Sequence, residues 1–439
     1  MPPNAHEFID GVAAPLGWYY LLVCAINVGA GVYCLRAGRT RHGVVAWMIV
    51  SLAFGLLAGA AFLGNPLRMP EALKTSIDAA LGPVTFTFGT LALLSILYLG
   101  RRFFVQPAVA WSGLCASLVF LGASMTDPEF AAVVGKPDNV PIVAMVYLLG
   151  FFAWLGAYQA VENDERRRRG AGPIEAELGD TVLVWPDLVY VELIAMVIAS
   201  VVLIVWSLVL RAPLEQPANP VVTPNPSKAP WYFLGLQEML VFFDASIAGV
   251  ILPLLIILGL MAIPYLDFNR KGSGYYTIAE RKFSYLVFHF GFLQLWILLI
   301  LIGTFMRGPN WNFFGLYEPR DPHKVLALTN VKLSECFWAV WLGTSVPQPP
   351  PASGAVVQLG WIVWREVLGI VLLAAYFVGL PVLLGRTALK RFRDQMGRAR
   401  YAIMILLLLM MLMLPLKMIL RWSFNLSYIV SVPEYFFNF

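Results

Sequence analysis

Ten stretches of this sequence are each long enough and apolar enough to cross a lipid bilayer. A transmembrane helix needs about 20 mainly apolar residues to span roughly 30 Å of hydrocarbon. The ten segments cover residues 16–35, 44–63, 79–99, 108–125, 141–161, 188–210, 248–265, 283–306, 361–384 and 401–420. With 59% hydrophobic and only 13% charged residues, the chain has more apolar surface than soluble cores could bury. The sequence therefore predicts an all-α integral membrane protein with about ten transmembrane helices, and excludes soluble enzymes and nucleic-acid binders.

Basic residues are concentrated in every second loop between these segments. Cytoplasmic loops of membrane proteins carry an excess of Lys and Arg, so this alternation tests the helix count independently of hydropathy. The basic groups are Arg36, Arg39 and Arg41; Arg101 and Arg102; the four arginines at 166–169; Arg270, Lys271, Arg281 and Lys282; and the cluster at 386–400. These loops are expected to face the cytoplasm, which places both termini outside. The expected location is the cytoplasmic (inner) membrane of a bacterium, with multiple passes.

Long loops divide the chain into four parts. Residues 1–165 are predicted to form a five-helix membrane module, and 166–184 a solvated cytoplasmic linker. Residues 185–306 form a second membrane module, and 307–439 combine a long outer loop with two further transmembrane helices. The outer loop at 211–230, here called the strap, is dense in proline, which disfavours regular helix and favours an extended chain. The apolar stretch after Pro230 predicts a helix at the outer interface.

Histidine and cysteine positions limit the cofactors that this chain can hold alone. A transmembrane b-type haem is held between two histidines on facing helices, and among four histidines His289 alone lies inside a predicted span. The four cysteines are far apart in sequence, which argues against covalent c-type haem, zinc ribbons and cysteine-bound clusters. We expect no haem and no metal bound by this chain alone. His289 is either a packed histidine bonded to a neighbouring backbone or a contact to a quinone or a partner chain's haem.

The strap and its flanking helices carry a family resemblance. Trp-Pro-Asp-Leu-Val-Tyr opens the second module at 185–190, Pro-Ala-Asn-Pro and Thr-Pro follow at 217–220 and 223–224, and Trp-Tyr-Phe-Leu stands at 231–234. In this order, from about 185 to 306, the chain resembles the carboxy-terminal half of cytochrome b. That half is a separate chain, subunit IV, in the plastoquinol-oxidising complex. The resemblance implies a quinol-oxidising pocket on the outer face, where the basic loops independently place the strap.

The chain departs from the family at one position of the pocket motif. Where the family has Pro-Glu-Trp-Tyr, with a glutamate thought to take a proton from quinol, residues 229–232 read Ala-Pro-Trp-Tyr. Proline cannot accept a proton, and the nearest acids are Glu238 and Asp244. Glu238 lies two helical turns beyond Trp231 on about the same face, which predicts it as the replacement acceptor. The expected quinol-binding residues are Pro230, Trp231, Tyr232, Leu234, Glu238 and Asp244.

Other interpretations of these residues remain open from sequence. Glu238 is also compatible with an ion-paired interfacial residue, and the two aromatic residues with interfacial anchors. The pocket could equally have ceased to oxidise quinol. Elsewhere, Glu366 is expected to form a structural bridge between helices with Lys417 or Arg421, because charges at membrane depth need partners.

These observations favour a haem-free membrane subunit of a bacterial respiratory quinol-oxidising complex of the cytochrome bc type. Its ligand is expected to be quinol, with menaquinone as the expected quinone, together with membrane lipids. The expected partners are a subunit carrying the b haems and c-type cytochrome or iron–sulfur subunits, with no nucleic acid. One alternative is a menaquinol-binding anchor for a periplasmic oxidoreductase, resembling the polysulfide reductase membrane subunit. A transporter is a second alternative, although the inverted repeats and broken helices typical of that class are not seen.

Overall fold

The structure is a computed structural model that describes residues 5–38, 41–177, 183–209, 217–325, 330–350 and 353–439. Within these residues the protein is almost entirely helical. The main helices are α1 (Ala5–Arg36), α2 (Arg41–Phe62), α3 (Glu71–Ala80), α4 (Pro83–Leu99), α5 (Pro107–Ser124), α6 (Val140–Arg168), α7 (Val189–Val209), α8 (Leu234–Met239), α9 (Ile247–Leu266), α10 (Lys282–Met306), α11 (Ala355–Arg365), α12 (Val367–Arg386) and α13 (Arg398–Phe424).

Shorter elements connect or flank these helices. Short helices and helical turns lie at Arg101–Phe104, Pro128–Val134, Ile174–Glu177, Val184–Leu188, Trp231–Phe233, Pro309–Trp311, Leu333–Glu335, Cys336–Trp341, Lys390–Met396 and Pro433–Tyr435. The strands are β1 (Val331–Lys332), β2 (Leu426–Tyr428), β3 (Ser431–Val432) and β4 (Phe437–Asn438). Strand β1 pairs in parallel with β2, with Val331 beside Leu426, and β3 pairs antiparallel with β4.

The prediction of an all-α, multi-span membrane protein is confirmed. Among the described residues, nine helices are long and apolar enough to cross a bilayer. A tenth span results if α3 and α4, which meet at 91°, form one broken span. Proline at the first position of α4 explains the break, because Pro lacks an N–H and starts helices readily. The predicted third segment, 79–99, is therefore a bend followed by a span that begins at Pro83.

The predicted ninth segment, 361–384, is also divided. Helix α11 ends at Arg365 and the apolar span α12 begins at Val367, with Glu366 between them. Arg365 donates to both carboxylate oxygens of Glu434, at 2.7 and 2.9 Å, and Glu366 accepts from the Ser431 N–H at 3.1 Å. The predicted bridge from Glu366 to Lys417 or Arg421 is wrong, because Glu366 pairs with Arg365 and accepts a hydrogen bond from Ser431. Lys417 is fully buried and donates to the Ser427 carbonyl instead.

The first module has its own core between α1, α2 and α5. Tyr20 is fully buried and packs with Phe54 in this core. Asn27, also fully buried, donates to the Val23 carbonyl at 2.8 Å and accepts from the Trp111 indole at 2.9 Å. Because a polar amide inside the membrane must satisfy its hydrogen bonds within the protein, Asn27 fixes α5 against α1.

This module is attached to the rest of the chain at three points. One contact lies between α4 and α10, one at the carboxyl end of α5, and one near the carboxyl end of α6. They are Gln294 Nε2 to Thr87 O (2.8 Å), Ser124 Oγ to Tyr317 Oη (2.8 Å), and Thr277 Oγ1 to Asp164 Oδ1 (2.7 Å). The predicted solvated linker is partly folded here, since Asn163 accepts from the Ile174 N–H, while residues 178–182 lie outside the described residues.

The core of the second half surrounds α13. Met413 and Met418 are almost fully buried and pack in one cluster with Phe242 and Phe243, which follow α8. Leu299 of α10 joins the same cluster. The segment after the strap is thereby held between two long membrane helices, which fixes the position of its neighbouring side chains.

Candidate functional site

The described part of the strap, from residue 217, is tied down at two points. Asn225 exchanges two hydrogen bonds with Asn310: the Asn310 N–H donates at 2.7 Å, and the Asn225 amide donates to Asn310 Oδ1 at 2.9 Å. Closer to α8, the Gln237 side chain accepts from the Ala229 N–H and donates to the Ser227 carbonyl, both at 2.8 Å. The end of the strap is therefore held against α8 and the segment after α10. Residues 211–216 of the strap lie outside the described residues.

Three consecutive aromatic side chains project from the turn that follows the strap. Trp231, Tyr232 and Phe233 form a single 3₁₀ turn after the exposed Pro230, and they are 38%, 50% and 50% exposed. The next residue, Leu234, is buried and anchors the turn. The predicted outer helix is thus shorter than expected, since it consists of this turn and α8. An exposed aromatic surface of this kind is suited to a flat apolar ligand or to a partner chain.

Glu238 is buried and ion-paired. It is 1% exposed, and Arg307 donates to both of its oxygens, from Nη2 at 2.5 Å and from Nε at 2.9 Å. The Trp311 indole donates a third bond at 3.1 Å. A guanidinium therefore faces Glu238, which agrees with the alternative interpretation of Glu238 as an ion-paired residue. Its role as proton acceptor stays a prediction, and a proton can reach it only if the ion pair opens.

The backbone beside this ion pair is strained. Asn310 and Trp311 both have positive φ, at 58° and 56°, a region that costs a non-glycine residue about 1–3 kcal/mol. Arg307 stabilises the turn by donating from Nη1 to the Trp311 carbonyl at 2.8 Å. Arg307 and Glu238 therefore hold Trp311 from its carbonyl and its indole at once. Strain retained by several bonds at one place is typical of functional sites.

Lys228 brings a further cationic group to this region. Its Nζ donates to the Thr304 carbonyl at 2.8 Å, and Arg320 donates to the next carbonyl, that of Phe305, also at 2.8 Å. Both cations therefore lie at the carboxyl end of α10, where unpaired carbonyls carry partial negative charge. Burial of the ammonium group lowers the pKa of Lys228 to about 8, and the neighbouring cations act in the same direction.

Asp244 forms hydrogen bonds with residues outside the aromatic turn. Its carboxylate accepts from the Asn438 amide at 3.0 Å and from the Ser246 N–H and hydroxyl at 3.2 and 3.1 Å. The Asn438 hydrogen bond is the main reason that the pKa of Asp244 lies below its usual value. These contacts join the start of α9 to β4. Asp244 therefore has a structural role in addition to the quinol-binding role predicted from the sequence.

His289 is separated from the other candidates along α10. Its Nδ1 lies 2.8 Å from the Tyr285 carbonyl, and its ring lies 4.0 Å from the Tyr285 ring. Because a carbonyl only accepts, Nδ1 carries the proton, which leaves Nε2 to accept a hydrogen bond. The fifteen residues from His289 to Thr304 correspond to about 22 Å of helix. The structure therefore does not bring His289 together with the aromatic turn or Glu238.

Sequence analysis missed several residues of this region. Arg307 and Trp311 lie 69 and 73 positions after Glu238, so no local spacing connects them. Lys228 and Gln237 were overlooked although they flank the aromatic motif. Within the described residues, there is no group of three or more His, Cys, Asp or Glu side chains that could hold a metal ion.

Comparison with known families places this region. Residues 217–316 match the family model described as cytochrome b (C-terminal)/b6/petD. The match contains the strap from residue 217 onward, the aromatic turn, α8, α9 and α10, and also Arg307 and Trp311. It confirms the resemblance to the cytochrome b carboxy-terminal domain, although it begins after α7. The chain matches no curated protein and no solved structure. At this level it is a multi-pass membrane protein with a cytochrome b-type segment.

Proposed function

We propose that this protein is a haem-free integral subunit of a bacterial respiratory quinol-oxidising complex of the cytochrome bc type. In this proposal, residues 217–316 form part of the outer-side quinol pocket. The observation that carries it is the fixed, exposed aromatic turn at Trp231–Phe233 beside the buried Glu238, within the segment that matches the cytochrome b family. The quinol ring would lie against the aromatic turn, and a partner subunit would cover its other face.

Oxidation of a quinol removes two electrons and two protons. This chain has no redox centre in the proposal, so the electrons pass to one-electron acceptors in partner subunits: iron–sulfur clusters and b- and c-type haems. The residues of this chain bind the ring, exclude water and receive protons. Menaquinol is the proposed substrate, in the bacterial cytoplasmic membrane, with lipids around the exposed helices.

Glu238 is the proposed acceptor for one proton. Arg307 must first release one of its oxygens, which links proton acceptance to a local movement at the strained Asn310–Trp311 turn. Pro230, Trp231, Tyr232 and Leu234 shape the neighbouring surface. Asp244 is the less suitable acid because its oxygens already accept from Asn438 and Ser246.

The matched variants Glu238→Gln and Asp244→Asn test this assignment in the purified intact complex. If Glu238 accepts a proton from quinol, Glu238→Gln lowers quinol-oxidation turnover by about 10²-fold, the low end for a lost general base. Asp244→Asn should have a much smaller effect. Haem content and subunit composition must stay unchanged, so that assembly defects are recognised. Wild-type turnover in an assembled Glu238→Gln complex would defeat the assignment.

The co-purifying chains separate this proposal from its rivals. A cytochrome bc-type complex should contain a b-haem subunit together with c-type or iron–sulfur subunits. Recovery with a periplasmic catalytic subunit and no b haem would instead favour a menaquinol-binding anchor.

A further inference from the structure

Lys228 carries an ammonium group that forms no ion pair with any residue the structure describes. It lies three residues before Trp231, at the end of the strap. Among the described residues, its Nζ donates to the Thr304 carbonyl at 2.8 Å. The residue as a whole is exposed, so the side chain connects the end of α10 with the outer solvent.

The position of Lys228 is fixed by its neighbours in the strap. Gln237 bonds to Ser227 and Ala229, the residues on either side of it, each at 2.8 Å. Gln237 directly precedes Glu238 in α8, so one helical turn holds both the strap backbone and the buried carboxylate. Lys228 and Glu238 are therefore held in one rigid unit with the aromatic turn between them in sequence.

The charges that face Lys228 are mainly positive. Arg320 and Arg307 approach from the segment after α10, and Lys136 from the loop before α6. Within the described part of the chain, the carboxylate of Glu238 acts in the opposite direction, and it is already paired with Arg307. With partial burial these cations lower the pKa of Lys228 to about 8, so that roughly one tenth of the side chain is a neutral amine at pH 7.

We propose that Lys228 receives one of the two protons released by a quinol bound at Trp231 and Tyr232, and passes it to the outer solvent. This inference rests on the proposed function, in which Glu238 takes the other proton. In the step, a quinol O–H bond breaks and an N–H bond forms on Nζ. The quinol's two electrons leave one at a time to two one-electron acceptors, iron–sulfur clusters or haems, in partner subunits. The ammonium then loses its proton to water, and the neutral amine is restored.

A merely structural lysine would behave differently. If Lys228 only caps the carboxyl end of α10, a permanent cation and one N–H donor are sufficient, and arginine supplies both. A proton acceptor must exist as a neutral base, which arginine does not do at these pH values. Lys228→Arg therefore separates the two roles, and Lys228→Met removes both.

The experiment measures quinol oxidation by the intact complex from about pH 6 to about pH 9.5. Wild-type turnover should rise through about pH 8 and then level off. Lys228→Arg and Lys228→Met should each lose this limb and fall about 10²-fold at the plateau. Lys332→Met is the matched control on the outer side, because Lys332 pairs with Glu335 away from the strap and should leave the profile unchanged. A wild-type profile in Lys228→Arg would overturn the proposal in favour of the cap.

Two further outcomes are distinguishable. If the wild-type complex does not oxidise quinol, the proposed function and this inference both fall; if it does and Lys228→Arg is unchanged, only this inference falls. If the variants do not assemble, the wild-type complex can be acetylated with a limiting amount of reagent at a series of pH values. The reactivity of Lys228 at each pH then tests the proposal. Lys228 should become half-reactive near pH 8, well below the usual 10.5 of a lysine. Half-reactivity at the usual value would overturn the proposal.

Discussion

Arg307→Met should destabilise the protein more than the loss of an ordinary surface charge. Arg307 makes two bonds to Glu238 and one to the Trp311 carbonyl, and its partner carboxylate is 1% exposed. Removing one member of a buried pair leaves an uncompensated charge, which costs about 3–5 kcal/mol. Because the Trp311 indole remains as a donor to Glu238, we expect the lower end, about 3 kcal/mol.

Two companion variants sharpen this prediction. Arg307→Lys keeps the charge but loses the two-bond fork, so its cost should be smaller than that of Arg307→Met. The double variant Arg307→Met/Glu238→Met removes both charges and should recover most of the lost stability, because replacing a buried pair by apolar groups is often neutral. The free energy of unfolding can be followed by far-UV circular dichroism during SDS titration of the purified protein.

Arg281→Met is the matched control. Arg281 pairs with Asp267 just beyond the end of α9, where the two side chains are 20% and 34% exposed. Such a partly exposed pair should contribute no more than about 1 kcal/mol. If Arg307→Met costs no more than Arg281→Met, or if the double variant is as unstable as the single one, the reasoning about a buried, essential ion pair is refuted.

Three shorter predictions concern topology, haem content and pH. Alkaline phosphatase fused at Phe439 should be active and a fusion at Gly170 inactive; the opposite pattern would refute the orientation derived from the basic loops. The chain purified without its partners should give a pyridine haemochrome signal far below one b haem per polypeptide. Arg365 lowers the pKa of Glu434 below its usual 4.5, so their pair should stabilise the protein above about pH 4.5 and lose this contribution as pH falls through the lowered pKa. The unfolding temperature should therefore drop on acidification less steeply in Glu434→Gln, and equal slopes would count against the pair.

Hydropathy and charge were sufficient for the membrane helices, because crossing a bilayer demands long apolar segments whatever the tertiary contacts are. They were insufficient where a span is interrupted. In the sequence, residues 361–384 form one apolar segment. In the structure, Arg365 binds Glu434 and Glu366 binds Ser431, and both residues lie before the start of α12. Such long-range pairing leaves no periodic signal in the sequence.

In the candidate site, too, the sequence predicts the contacts between chain neighbours but not the long-range contacts. The motif at 229–232 and the proximity of Glu238 could be predicted because these residues are neighbours in the chain. The Arg307 partner could not, since it lies 69 residues later and is brought back by α9 and α10. The position of Lys228 also depends on the Gln237 contacts with the strap backbone, which composition does not reveal.

Photoaffinity labelling of the intact complex with an azido-quinone tests the central claim most directly, because it locates the ring without relying on turnover. The account predicts that peptides containing residues 228–238 of this chain are labelled, that excess unlabelled quinol prevents it, and that Trp231→Ala greatly reduces it in an assembled complex. Label confined to partner subunits, or found in this chain only at segments remote from the aromatic turn, would contradict the claim that residues 217–316 line the outer quinol pocket.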